Sequence, residues 1–171
     1  MSSRRLATLG LFLLFLPLLA GSLPAWAGSP PLSGKVLWIY DGDTLEVEGI
    51  GKVRLLGIDT PEHESSPRDR YYQRWKIAPA RLRAISAKAR QLLIREVKAT
   101  TVKLILDREP RDQHGRLLAY LYLPDGRLLN RVLLEGGYAS VFRKFDFTLK
   151  DDFLSTEEGA RKAGIGLWQQ P

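Results

Sequence analysis

The chain has 171 residues, with 26 Lys and Arg against 19 Asp and Glu, a formal charge of +7 and no cysteine. With 44% hydrophobic and 26% charged residues it has the composition of a globular protein, which excludes collagen-like, coiled-coil and wholly disordered chains. The missing cysteine excludes a disulfide framework, a thiolate zinc site and a cysteine nucleophile, and the basic surplus points to a polyanion, either nucleic acid or an anionic membrane.

Arg4 and Arg5 precede an apolar run from Leu9 to Ala20, broken only by Gly10 and Pro17. Ala25-Trp26-Ala27 follows, with small residues at the two positions a signal peptidase reads. This is the layout of a secretory signal peptide over residues 1–27, with export to the periplasm or the medium. The alternative is an uncleaved anchor, since Leu6 to Ala27 is uncharged and long enough to span a bilayer. Cleavage is favoured because the strongly apolar part is short; the expected product is a monomer with no stable membrane association.

Residues 28–33 are expected to be a short flexible lead and residues 34–171 one domain. Gly34 to Tyr40 is rich in β-formers and stops at the turn signal Asp41-Gly42. Thr44 to Glu48 alternates apolar and polar, as a half-buried strand does. Lys52 to Ile58 is a third strand, ended by Asp59-Thr60-Pro61, and tight turns between the three predict an antiparallel meander. His63 to Ala80 is polar, basic and aromatic. From Leu82 to Val97 apolar residues recur at helical spacing. Thr101–Leu106 and Leu117–Leu123 are predicted strands four and five. A short helix around Leu129–Leu133 stops at Gly136-Gly137, Tyr138 to Phe147 is irregular, and Leu149–Ala163 is a further helix. Ile165, Leu167 and Trp168 fold back as a clasp. The order predicts an α+β protein: a five-stranded OB-fold barrel with about three packed helices.

In a meander the first and third strands run the same way, so Asp41-Gly42-Asp43 and Asp59-Thr60-Pro61-Glu62 emerge at one end of the sheet. Asp43 and Asp59 are then placed to share a hard cation, with a backbone carbonyl and water completing an oxygen shell. Arg54 lies in the third strand near that end. Carboxylates, a metal and a guanidinium at one spot suit phosphoryl chemistry. Alone, Asp41-Gly42-Asp43 is a polar turn; two acidic turns at one edge favour a site. Arg116 adds a second guanidinium if its turn folds toward the acidic edge. His114, in the same turn, is by default an exposed residue.

Asp41-Gly42-Asp43-Thr44, the run from Arg54 to Glu62, and the run from His114 to Tyr122 together resemble the thermonuclease (staphylococcal-nuclease-like) family. Leu129-Asn130, Gly136 to Ala139 and Gly166-Leu167-Trp168 fit the same pattern. The resemblance implies a secreted OB-fold phosphodiesterase that cuts DNA and RNA with one Ca²⁺ ion and leaves 3′-phosphates. It implies Asp43 and Asp59 as carboxylate ligands, and Thr60 as a ligand through its carbonyl oxygen. Glu62 orients or deprotonates the attacking water, Arg54 and Arg116 grip the phosphate, and Asp41 is an acid behind the ligands.

Two departures stand out. The segment 63–80 is longer than the family layout, and Phe142-Arg143-Lys144-Phe145 stands where nucleotide-flanking tyrosines are expected. Tyr71, Tyr72 and Trp75 are candidate replacements as stacking surfaces, or they pack the loop onto the barrel. His114 and Arg143 are further candidates for substrate contact. Ten Lys and Arg lie between Pro67 and Lys98 against Asp69 and Glu96, a track for a nucleic-acid backbone or a solvated helix face. The rival functions are a non-catalytic OB-type nucleic-acid-binding module and a membrane-surface protein; the second leaves the acidic edge unexplained.

Overall fold

β1 (Leu32–Ile39), β2 (Thr44–Val47) and β3 (Gly51–Leu55) form the expected antiparallel meander in a computed structural model that describes residues 30–169. The proposed signal peptide lies outside the described residues. β1 begins earlier than expected: Leu32 pairs with Leu104, and the Ser33 hydroxyl donates to the Val102 carbonyl at 3.1 Å. Residues 32 and 33 therefore belong to the barrel, because the neighbouring strand is long enough to pair with them. That neighbour is β5 (Thr101–Arg111), an 11-residue strand that overruns its predicted end. β6 (Leu117–Tyr122) pairs antiparallel with β5 and parallel with β3, closing the barrel in the order β1-β2-β3-β6-β5.

Alternation fills the barrel. Leu45, Val53, Leu104 and Leu121 are fully buried inside it, each worth roughly 1.5–3 kcal/mol relative to exposure. A break in the β1–β2 register between Val36 and Trp38 leaves both Leu37 and Trp38 facing outward. Three main helices cover the barrel: α2 (Pro79–Val97), α3 (Leu129–Glu135) and α4 (Lys150–Lys162). Pro79 opens α2 at a position that needs no N–H partner, so the helix starts before Leu82. Its Ala89, Leu93 and Val97 join the barrel core.

The structure differs from expectation in three places that matter for the site. The third strand does not run to Ile58. Gly57, at φ 78°, turns the chain between β3 and a two-residue β4 (Ile58–Asp59). A Cβ there would meet the Phe147 ring at 2.6 Å, so glycine supplies both the turn and the room. Within Tyr138–Phe147, Ser140–Val141 forms β7, antiparallel to β4, with Asp59 opposite Ser140. The segment 63–80 contains a short helix, α1 (Asp69–Gln73). Tyr72 and Ile77 from this segment join Leu82, Ile85, Ala160, Leu167 and Trp168 in a second core, where the 3-10 turn Gly166–Trp168 is the expected clasp.

Candidate active site

The β1–β2 turn carries Asp41 and Asp43, β3 carries Arg54, and β4 with the following turn carries Asp59, Thr60 and Glu62. Gly42 lets the first turn approach α2: a Cβ there would lie 2.7 Å from Ala89 Cβ and 2.8 Å from Thr60 Oγ1. Thr44 pairs with Arg54 across β2 and β3, and the Leu55 N–H donates to the Asp43 carbonyl at 2.8 Å. The barrel thus sets Asp43 beside Arg54 through main-chain pairing.

Asp43 is 2% exposed, and every hydrogen bond to its carboxylate comes from the site itself. Oδ1 accepts from Arg54 Nη1 at 2.6 Å and from the Thr44 hydroxyl at 3.0 Å. Oδ2 accepts from the Thr60 N–H at 2.9 Å and the Thr60 hydroxyl at 3.1 Å. Burial pushes the Asp43 carboxyl up, but Arg54 and these donors outweigh it and hold it below the ordinary range. Asp41 accepts the Asp43 N–H at 2.9 Å and is pushed up to about 6 by burial and the adjacent Asp43 charge.

Arg54 spans the two candidate ligands, its Nη2 donating to Asp59 Oδ1 at 2.8 Å. The same oxygen accepts from Arg68 Nη2, while Arg68 Nη1 donates to Glu62 Oε1 at 3.0 Å. Burial and the neighbouring Arg54 lower the Arg68 pKa. Arg68 figured in the sequence only as one member of a basic run; nothing in its spacing marks it as a partner of Asp59.

Arg116 lies just before β6, whose Leu118 pairs with Arg54, so the two arginines belong to the same side of adjacent strands. Its guanidinium is turned to Asp112, with Nε and Nη2 each 2.7 Å from Oδ2. It makes no contact with Asp43 or Asp59 here. His114 is exposed on the turn, its Nε2 3.3 Å from Gln113 Nε2, and is not brought to the carboxylates.

The aromatic candidates separate. Tyr72 is 1% exposed, and its hydroxyl donates to the Asp59 carbonyl at 3.3 Å; it is core, not a stacking surface. Trp75 packs edge-on against Trp168 with centroids 5.0 Å apart, and Arg74 lies 3.9 Å over its ring. Tyr71 donates to the Val141 carbonyl at 3.3 Å and lines a cleft of about 300 Å³ with Arg68, Phe142, Arg143 and Lys144. Arg143 also pairs with Glu157, a buried carboxylate of α4 whose Oε1 accepts the Val141 N–H at 2.8 Å. This pair raises the Arg143 pKa and commits most of the guanidinium to structure. Glu157 was missed in the sequence; its signal is a Glu at helical spacing between buried Phe153 and Ala160.

Among the described residues, no three His, Cys, Asp or Glu side chains converge as a metal cluster. The two carboxylates at the edge are oxygen donors that suit a hard cation, and the positive charge they require is supplied by Arg54 and Arg68. No described helix is long and apolar enough to cross a membrane.

Comparison with known proteins finds relatives over most of the chain. An uncharacterized protein of Methanocaldococcus jannaschii is 39% identical over 147 residues, covering 79% of this chain and 70% of the relative. One from Bacillus anthracis is 33% identical over 147 residues, spanning 82% of this chain but only 63% of the relative's own length. A thermonuclease of Staphylococcus hyicus is 25% identical over 139 residues, 78% of this chain and 74% of the relative. The family model described as staphylococcal nuclease homologue matches residues 52–170, from β3 through the C-terminal clasp, and the chain belongs to that nuclease family.

Proposed function

We propose that this protein is an exported, Ca²⁺-dependent phosphodiesterase that cuts DNA and RNA with little sequence preference. The observation that carries it is the meeting of Asp43, Arg54 and Asp59 at one barrel edge, with Glu62 three residues beyond Asp59 and linked to it through Arg68. Two acids and an arginine drawn from separate elements to one largely buried edge are the kind of charge cluster that marks functional sites.

Asp43, Asp59 and the Thr60 carbonyl are the groups to hold the ion, which supplies positive charge against the phosphate when bound. Arg54 and Arg116 bind phosphate oxygens through planar forks, and that grip strengthens as negative charge grows toward the transition state. For Arg116 this requires release from Asp112, and for Arg54 it requires turning a nitrogen of its fork from Asp43 or Asp59 toward the phosphate. Glu62 accepts the proton of the attacking water. Breakage of the P–O5′ bond leaves 3′-phosphate and 5′-hydroxyl ends. Export rests on residues 1–27 alone, and the protein acts as a monomer.

Digestion of plasmid DNA and RNA by the purified protein, with Ca²⁺, Mg²⁺ or chelator, tests the reading. Ca²⁺ supports cleavage, Mg²⁺ serves poorly because it demands tighter octahedral geometry, and chelation abolishes it. Full activity in excess chelator refutes it. Tight nucleic-acid binding without cleavage would support the non-catalytic OB module instead.

A further inference from the structure

Arg68 sits on two of the groups the chemistry needs free. One nitrogen donates to Asp59 Oδ1 and the other to Glu62 Oε1, at 3.0 Å in the second case. Asp59 Oδ1 already accepts from Arg54. A divalent ion at Asp59 meets this second guanidinium first, because like charges at one carboxylate oxygen compete.

The two arginines differ in how easily they leave. The Arg54 side chain is 12% exposed and carried by the barrel; that of Arg68 is 43% exposed and borne by a loop. The loop does not depend on the Arg68 side chain for its position. Asp69 next to it holds Arg83 through two bonds, of 2.7 and 3.1 Å. Tyr72 is buried in the second core, and Tyr71 bonds to β7. Arg68 can therefore swing away while the loop stays. It already lines the cleft that holds Arg143 and Lys144, a basic lining suited to an anionic chain.

We propose that Arg68 is a resident counter-cation that exchanges with the divalent ion: without metal it neutralises Asp59 and Glu62, and metal binding releases it toward the cleft. The inference rests on the metal-dependent reading above. Its consequence is that metal loading also frees Glu62, so the base is uncovered only when the ion is in place.

Titration calorimetry of the purified protein with CaCl₂ alone tests the exchange without reference to turnover. Arg68→Gln is expected to bind Ca²⁺ roughly five- to tenfold more tightly, the scale of removing one competing charge at a largely buried carboxylate. Lys103→Gln, the same charge loss at an exposed site on β5, leaves the affinity unchanged. Arg68→Lys keeps the charge but loses the two-point fork, and tightens binding roughly two- to threefold. Equal or weaker Ca²⁺ binding by Arg68→Gln overturns the exchange and leaves the metal-dependent reading standing. If the parent protein shows no Ca²⁺ binding, both fall. Should Arg68→Gln fail to fold, Arg68→Lys decides: tighter binding supports the exchange, unchanged binding overturns it.

Discussion

Asp59 and Glu157 are both carboxylates held by arginines beside the short β4–β7 ladder, yet their surroundings differ. Glu157 is 1% exposed; it accepts the Val141 N–H and pairs with Arg143 alone. It ties α4 to β7, and β7 in turn holds Asp59 opposite Ser140. Asp59 is shared by Arg54 from the barrel and Arg68 from a loop, and the second is the more exposed of the two. A closed pair fixes a position, whereas a pair with one exposed partner leaves a charge that a ligand can replace. The structural pair thus backs the candidate active edge from behind.

The largest expected effects lie on the open side. Arg54→Lys, Arg116→Lys and Glu62→Gln each lower turnover by roughly two to four powers of ten while circular dichroism stays that of the parent. Near-parental cleavage by both Arg54→Lys and Glu62→Gln would dissolve the distinction and leave the edge a polar turn cluster. On the closed side, Glu157→Ala removes the carboxylate partner of Arg143, which keeps the Val141 carbonyl at 3.0 Å, and leaves the Val141 N–H without its acceptor. Denaturant unfolding should show a loss of about 2–3 kcal/mol, below that of a fully buried pair because Arg143 is partly exposed and keeps a carbonyl acceptor. A loss under about 1 kcal/mol would mean the ladder stands without it.

Asn130 gives a neutral version of the closed case. It is fully buried; its Oδ1 accepts the Leu121 N–H at 3.0 Å and its Nδ2 donates to the Leu56 carbonyl at 2.9 Å. Asn130→Leu strands both main-chain groups, and about 2–4 kcal/mol of stability should be lost in the same assay. Asp107 is a half-open case on β5. Burial raises its pKa, but the Thr148 N–H, the Tyr120 hydroxyl and the Arg108 N–H prevail and hold it below 3.8. The unfolded chain therefore takes up the proton first as pH falls. The stabilisation is fully present above the unfolded value and is lost as pH drops through the lower folded one. Thermal melts from pH 5 to pH 2 should show this loss in the parent and a smaller one in Asp107→Asn.

The smallest effect concerns the loop away from Arg68. Neutralising Arg70, Arg74 and Lys76 together should reduce the salt slope of nucleic-acid binding by roughly two, with the single-turnover rate at saturation unchanged. An unchanged slope in filter binding across a salt series would make this run a solvated surface.

Much of the frame was legible because it rests on local periodicity. Strict alternation in Thr44–Val47, the helical recurrence through Ala89, Leu93 and Val97, and the Gly136-Gly137 stop all reappear as elements. The nearness of Asp43 and Asp59 was also legible, since two antiparallel turns return a chain to the same edge. The ends of elements were less so. β5 runs on to Arg111 and β1 starts at Leu32 because each pairs with a partner distant in sequence, and β4 exists only through β7, some 80 residues on.

The sequence by itself determined a basic barrel-and-helix domain with two acidic turns and an arginine at one edge, because turn chemistry and hydrophobic period act within a few residues. Only the tertiary structure decided how that edge is neutralised. Arg68 reaches Asp59 from nine positions along the chain, Arg116 turns to Asp112, and Glu157 supports β7 from a helix far along the chain. No spacing rule encodes those choices. They follow from which long side chain finds an unmet carboxylate once the barrel has closed, and that depends on packing among segments far apart in sequence.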